Sequence, residues 1–231
     1  PNGLKAWLVE DHTIPFMALR LGFEGGASLD RPNKRGAVSL MMALLEEGTG
    51  DLDARGFAQA VDELATSFNF DASDDSVSVS ARMLSENRDE AIVLLKGAIS
   101  APAFEQSAID RVKAQVVSML QSDTKDPNEI ARRAFDKAAF GDHPYGSSVS
   151  GTLESVSDLT REDIVNAHRD TIARDRVYVS AVGDITAQEL GALLDSLLAD
   201  LPETGAKLPE RVEAGLAPGI SVVPYEAPLS V

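Results

Sequence analysis

Gly36-Ala-Val-Ser39-Leu-Met-Met42-Ala43-Leu-Leu-Glu46-Glu47-Gly48-Thr49 is the stretch from which the fold is read. It reads as a helix closed by glycine. Ala37, Val38, Leu40, Met41, Met42, Ala43, Leu44 and Leu45 leave it apolar on every side, and a helix without a polar face is expected to be buried all round. Ser39 alone is polar before the acidic end. Glu46 and Glu47 fall in the expected last turn, where the helix dipole disfavours negative charge. Gly48 suits the left-handed position that closes a helix. The domain is built around this helix, and the question is whether the helix carries chemistry or only core.

Upstream, residues 4–9 and 16–23 read as strands joined by Asp11-His-Thr-Ile-Pro15, and a polar loop with Gly25-Gly26 leads into the helix. Downstream, Asp53 caps a second helix through Phe57, Ala60, Val61 and Leu64. Residues 68–70 and 77–81 alternate as strands around the acidic turn Asp74-Asp75, and Ser85 is the expected cap of a helix bearing Ile92, Leu94 and Leu95. Pro102 interrupts. A long helix is expected over 105–120, with Ile109, Val112, Val116 and Met119 turned to the core. Asp126-Pro-Asn-Glu129 opens the next helix with a cap, a proline at its first position and an acid at its third. His143-Pro-Tyr-Gly146 reads as a turn, and Thr160 caps a helix to about Ile172. A strand follows over 177–182, and Thr186-Ala-Gln-Glu189 is a capping box for a helix to Leu201. The order predicts an α+β fold of two layers, a mixed or antiparallel sheet with helices packed on one face. Residues 1–201 make one domain, 202–219 a Pro/Gly/Glu-rich linker, and 220–231 the first strand of a truncated second domain. The start on Pro1-Asn2-Gly3 and the close on Ala227-Pro-Leu-Ser-Val231 both read as cut ends.

Composition narrows the function. The 231 residues carry a formal net charge of −16 and a pI near 4.5, which argues against nucleic acid and anionic membrane surfaces as partners. No apolar run approaches the ~18 residues of a membrane span, so no membrane insertion is expected. Cysteine is absent, which removes thiolate metal sites, thiol nucleophiles and disulfides and suits an oxidising compartment. The three histidines, His12, His143 and His168, have no helical pair spacing and are expected to be solvated or to stabilise turns. Ser39 has no histidine near it in sequence to activate it. Asp74-Asp75, with Asp71 nearby, lacks the calcium-loop pattern and reads as a solvated hairpin turn. Gly25-Gly26 lacks the spacing of a phosphate loop.

Several segments together resemble the N-terminal half of a subunit of the M16 family, that of pitrilysin, insulin-degrading enzyme and the mitochondrial processing peptidase. They are Asn2-Gly-Leu-Lys, Arg35-Gly36 through Glu47-Gly48-Thr49, Phe140-Gly-Asp-His-Pro-Tyr-Gly146, Gly151-Thr-Leu-Glu-Ser-Val156, Leu159-Thr-Arg-Glu-Asp163 and Val182-Gly-Asp184, in family order. The resemblance implies the LuxS/MPP-like metallohydrolase fold and an inverted zinc motif, H-x-x-E-H, on the opening helix. The motif is absent. Ser39 and Ala43 stand at the two histidine positions and Met42 at that of the general-base glutamate. In the later helix, which begins near Phe104, the third zinc ligand position falls on Met119 and an accompanying acid position on Val112. Residues at i and i+4 share a helix face, so two imidazoles there could hold zinc, whereas serine and alanine cannot. Methionine thioether is a poor zinc ligand, and without the base no water is activated there. The old metal cavity is expected to be ordinary core filled by Met42 and Met119, with no catalytic residue, no metal ligand and no zinc cofactor.

The resemblance implies a subunit of two such halves set against a second subunit around a chamber. The function it points to is a non-catalytic subunit that lends chamber and substrate binding to a zinc-bearing M16 partner. A structural or assembly protein of the core-subunit type is the alternative, and an active zinc peptidase working through unrecognised residues the third reading. Family peptides add a strand to a sheet edge beside the active helix, which places substrate binding on Phe68, Asn69, Phe70, Asp71 and Ala72. An Arg/Tyr pair that can complete the site lies in the second half and has no counterpart to name here. The expected location is the periplasm, with the cytoplasm as alternative.

Overall fold

The strand Phe16–Glu24, β2, is the spine of the sheet. Along it, Met17, Leu19, Leu21 and Phe23 are buried and the residues between them are more exposed, the period-2 signature of a strand with one covered face. The computed structural model describes residues 3–225. Within it, β2 pairs antiparallel with Ser76–Leu84 (β6) on one side and Val177–Gly183 (β7) on the other. Ala6–Glu10 (β1) joins parallel to β7, and Ser67–Ala72 (β5) antiparallel to β6. The order is β1-β7-β2-β6-β5. The register places Leu21 beside both Val79 and Val179, so the buried rows of three strands form one apolar surface. Fully burying each such side chain contributes about 1.5–3 kcal/mol.

The helices of the described residues are Ala37–Leu44 (α1), Ala54–Glu63 (α2), Arg88–Ser100 (α3), Gln106–Asp123 (α4), Pro127–Phe140 (α5), Leu153–Ser157 (α6), Arg161–Thr171 (α7) and Ala187–Leu197 (α8); α1, α2 and α3 meet β5 and β6 directly, and α4 and α7 pack on α1. A two-strand ribbon, Gly48–Thr49 (β3) with Leu52–Asp53 (β4), joins α1 to α2. Among the described residues no helix covers the other face of the sheet. Trp7 and Val9 are 59% and 62% exposed there, and Arg20 and Arg82 stand diagonally across β2 and β6, two residues apart in register. The expected α+β arrangement, a mixed sheet with helices on one face, is the one observed.

The caps behave as their residue types require. Asp53 accepts from Gly56 N–H, Asp126 from Asn128 and Glu129 N–H, and Thr160 and Thr186 form capping boxes with Asp163 and Glu189. Ser85 departs from expectation. It opens a short 3-10 turn and donates its hydroxyl to Asp184 at 2.6 Å, while Asn87 precedes α3 without a side-chain cap. The last helix stops at Leu197, although the apolar run continues to the buried Leu201.

Residues 202–219 carry no regular structure but hold to the domain. Ala206 N–H donates to Asp170 O at 2.9 Å, Arg176 to Ala206 O at 2.6 Å, and Gly215 N–H to Ala139 O at 2.8 Å. Residues 220–225 form no strand, and Ile220 is 95% exposed. Asn2 and residues 226–231 lie outside the described residues.

Candidate functional site

The opening helix is shorter than its sequence suggests. α1 starts after Gly36, whose φ of 97° a side chain would resist, and ends at Leu44 with Leu45 in ordinary helical geometry. Gly48 is therefore no helix cap. It enters β3 at φ 132°, where a Cβ would lie 2.5 Å from Leu52 O. Glu46 and Glu47 sit in the turn between, just past the end of α1 rather than in its last turn.

Nor is α1 buried all round. Val38, Leu40, Met41, Met42 and Leu44 are at or below 1% exposure, but Ser39 and Ala43 are only half-buried. These two share a face at i and i+4, and that face stays partly open. Met119 departs further from expectation. On α4 it is 44% exposed, while Leu120 is 4% exposed and takes the inward place. Ile109, Val112, Val116 and Leu120 advance by 3, 4 and 4, which keeps the stripe on the core. The position read as a core filler thus points to solvent, and only Met42 fills the core as expected.

Ser39, Met42, Ala43 and Met119 do not fit a zinc ion. They offer one hydroxyl, one methyl and two thioethers, one of those sulfurs in sealed core and the other on an exposed residue. Among the described residues no group of three or more His, Asp or Glu is placed to hold a metal ion.

α1 packs against α4, α7 and the edge strand β5. β5 pairs with β6 alone, so its outer backbone edge has no strand partner among the described residues. Phe68, Phe70 and Ala72 are half-buried on it and Asn69 and Asp71 exposed. At its start a cavity of about 510 Å³ opens between the turn after α1 and helix α2, lined by Glu46, Glu47, Arg55, Phe57, Phe68 and Arg111 among others. Phe57 and Phe68 lie with ring centroids 6.2 Å apart. Arg111 reaches from α4 to the Glu47 carboxylate. Burial, with the Glu47 charge beside it, raises the Glu46 carboxyl above its ordinary range. Nothing in the sequence signals that Arg111 and Glu47 meet, because one lies on α4 and the other in the turn after α1, and no periodicity links them. A larger cavity, about 610 Å³, lies away from α1, between the segment leading into β1, the start of β7 and the end of α8.

The acidic turn is not simply solvated. Arg35, 8% exposed, donates to Asp74 Oδ1 at 2.5 Å, to Ala27 O at 2.5 Å and to Ser147 O at 3.0 Å. Tyr145 donates its hydroxyl to Asp75, and that bond raises the phenol to about 12. The turn is the point where the β5–β6 hairpin docks onto the segments before α1 and after α5.

The histidines divide. His143 accepts Tyr145 N–H at 3.3 Å within its turn, as expected. His12 is exposed and bonds Asp184 Oδ1 at 2.7 Å, which raises the imidazole above its usual range. His168 is neither solvated nor in a turn. Its Nε2 meets Ile99 O at 2.8 Å, its ring stands edge-on to Phe104, and burial lowers its pKa.

The comparisons with known proteins agree with this geometry. A family model described as insulinase (peptidase family M16) matches residues 5–153. A Helicobacter pylori protein named non-peptidase homolog YmxG is 30% identical over 194 residues, covering 84% of this chain and 45% of that protein. A Bacillus subtilis protein named an uncharacterized zinc protease, YmxG, is 22% identical over 185 residues, covering 80% and 45%. The chain spans about half the length of these curated relatives. The crystal structure of a peptidase M16 inactive domain from Pseudomonas fluorescens superposes with a TM-score of 0.87 at 28% identity, covering 92% of this chain and 52% of that one. The family match covers well over half of the chain, from β1 through the opening helix and the edge strand to α5, and with it the chain belongs to the M16, or insulinase, family of peptidases.

Proposed function

We propose that the chain belongs to a non-catalytic subunit of an M16-type peptidase, lending a chamber wall and a peptide-binding edge to a partner subunit that carries the zinc. The observation that carries this reading is the Ser39–Ala43 pair. It occupies the accessible i, i+4 face of α1 that would have to hold the metal, and it offers no nitrogen or carboxylate. Likeness to proteins named a non-peptidase homolog and an inactive domain supports it. A subunit without the ligands or the base needs another chain to supply them if peptides are to be cleaved. Among the described residues the outer edge of Ser67–Ala72 has no strand partner, which suits pairing with an extended peptide. Residues 220–231 are read as the entry to a second half. The cysteine-free composition supports a periplasmic location.

The test is metal content and peptide cleavage, measured on the protein alone and after mixing with a zinc-bearing M16 chain from the same organism. The proposal expects no stoichiometric zinc and no cleavage alone, and a changed rate or cleavage pattern on mixing. Stoichiometric zinc, or zinc-dependent cleavage by this chain alone, would overturn it. A mixture that cleaves just as the partner does would put an assembly role in its place.

A further inference from the structure

We propose that Met119 is the chain's site of oxidative modification, where a two-electron oxidant of the hydroperoxide class converts the thioether to the sulfoxide while the fold stays intact. This is independent of the peptidase reading, since it depends only on which sulfurs solvent can reach.

The sequence holds five methionines and no cysteine, so five thioethers are all the sulfur it has. The fold divides them. Met17, Met41 and Met83 are at 0% exposure and Met42 at 1%, whereas Met119 is at 44%. Met17 and Met83 stand opposite each other across β2 and β6, and Met41 and Met42 lie on α1 in the same core. A sulfoxide at any of these four would put a polar S–O group into close packing. Met119 carries its sulfur at the surface of α4, and the buried stripe of that helix passes through its neighbour Leu120 instead. Water meets an oxygen added there. Reactivity and tolerance therefore coincide at one residue, and no thiol in the chain competes for the oxidant.

The step balances with the oxidant alone. The sulfur lone pair attacks one peroxide oxygen, the O–O bond breaks and an S–O bond forms. The transferred hydroxyl gives its proton to the departing one, which leaves as water. Sulfur loses two electrons and the peroxide gains them. The product turns a flexible apolar tip into a hydrogen-bond acceptor on the exposed side of α4, and methionine sulfoxide reductases reverse it.

The experiment exposes the folded chain to hydrogen peroxide, quenches it at intervals and maps the gain of one oxygen at each methionine by peptide mass spectrometry. Met119 is expected to oxidise at least about tenfold faster than each of the other four, because sealed sulfurs wait on openings of the fold. The same treatment in urea is expected to level the five rates. In Met119→Leu, which keeps an apolar side chain at an exposed position, the fast uptake is expected to vanish. The chain oxidised at Met119 alone is expected to melt within about 2 °C of the untreated chain. A core methionine that oxidises as fast as Met119 in the folded chain overturns the proposal. So does fast uptake that persists in M119L, a ranking that survives in urea, or a melting temperature that falls beyond that range.

Discussion

Asp30 Oδ1 accepts the backbone N–H of Val38 at 2.9 Å, so the first turn of α1 is capped from eight residues upstream. Asp30 Oδ2 takes Gly36 N–H at 2.8 Å. Gly36 has no side chain to do this, and the orphan donors of the turn would otherwise face the core. Burial outweighs the two N–H donors and nearby Arg35, and lifts the Asp30 carboxyl from 3.8 to about 6. The folded chain thus holds this proton more tightly than the unfolded one. That contribution to stability is full below about pH 4 and is lost as pH rises through about 6. Asp30→Asn removes the titration. The stability of the native protein relative to D30N, from urea melts, should therefore fall by up to about 3 kcal/mol between about pH 4 and pH 7.5. A difference flat across that window would contradict the assignment.

Ser39 and Ala43 are half-buried and Met42 is 1% exposed, so the three positions answer differently to the residues of a zinc motif. Ser39→His and Ala43→His should each change stability by no more than about 1 kcal/mol. Met42→Glu places a carboxylate in sealed core and should cost about 3 kcal/mol or more, roughly 6–12 °C in melting temperature. Calorimetry on the three single variants decides the matter, and a tolerated M42E would mean that Met42 has access to solvent.

Met119 points outward at 44% exposure. Met119→Glu is expected to be neutral within about 0.5 kcal/mol, whereas Leu120→Ala should cost about 2–4 kcal/mol through the cavity it leaves. Chemical denaturation of the pair tests which of the two neighbours faces the core, and a reversed order would restore Met119 to it.

Arg35 joins three parts of the chain through Ala27 O, Asp74 and Ser147. Arg35→Ala strands Asp74 and the nearly sealed Asp30, with an expected loss of about 3–5 kcal/mol. Arg35→Lys keeps the charge but cannot reach three acceptors from one ammonium, so it should recover only part of the loss. Equal melting temperatures for R35K and the native protein would show that charge alone suffices.

Much of the architecture was legible because it rests on local chemistry. Thr160 and Thr186 with their acids at the third position, Asp126 before Pro127, and the alternation along 16–23 each determine their element within a few residues. The open side of α1 was not legible, since an apolar run shows no polar stripe even where Ser39 and Ala43 are left half-covered. Met119 and Leu120 are adjacent and both apolar, so periodicity alone could not choose between them. His168 and the Asp74-Asp75 turn were misread for another reason: their partners, Ile99, Arg35 and Tyr145, are distant in sequence and meet them only in the folded chain.

The sealed packing of Met42 has an evolutionary consequence. Half-covered positions such as 39 and 43 tolerate more exchange than sealed ones, so histidines there meet a lower barrier. A residue at 1% exposure inside the main core is held by its neighbours. On the reading of Met42 as the lost base position, descent back to a working peptidase is barred at that one site, and the bar tightens with each neighbour that has since adapted to a thioether in place of a carboxylate.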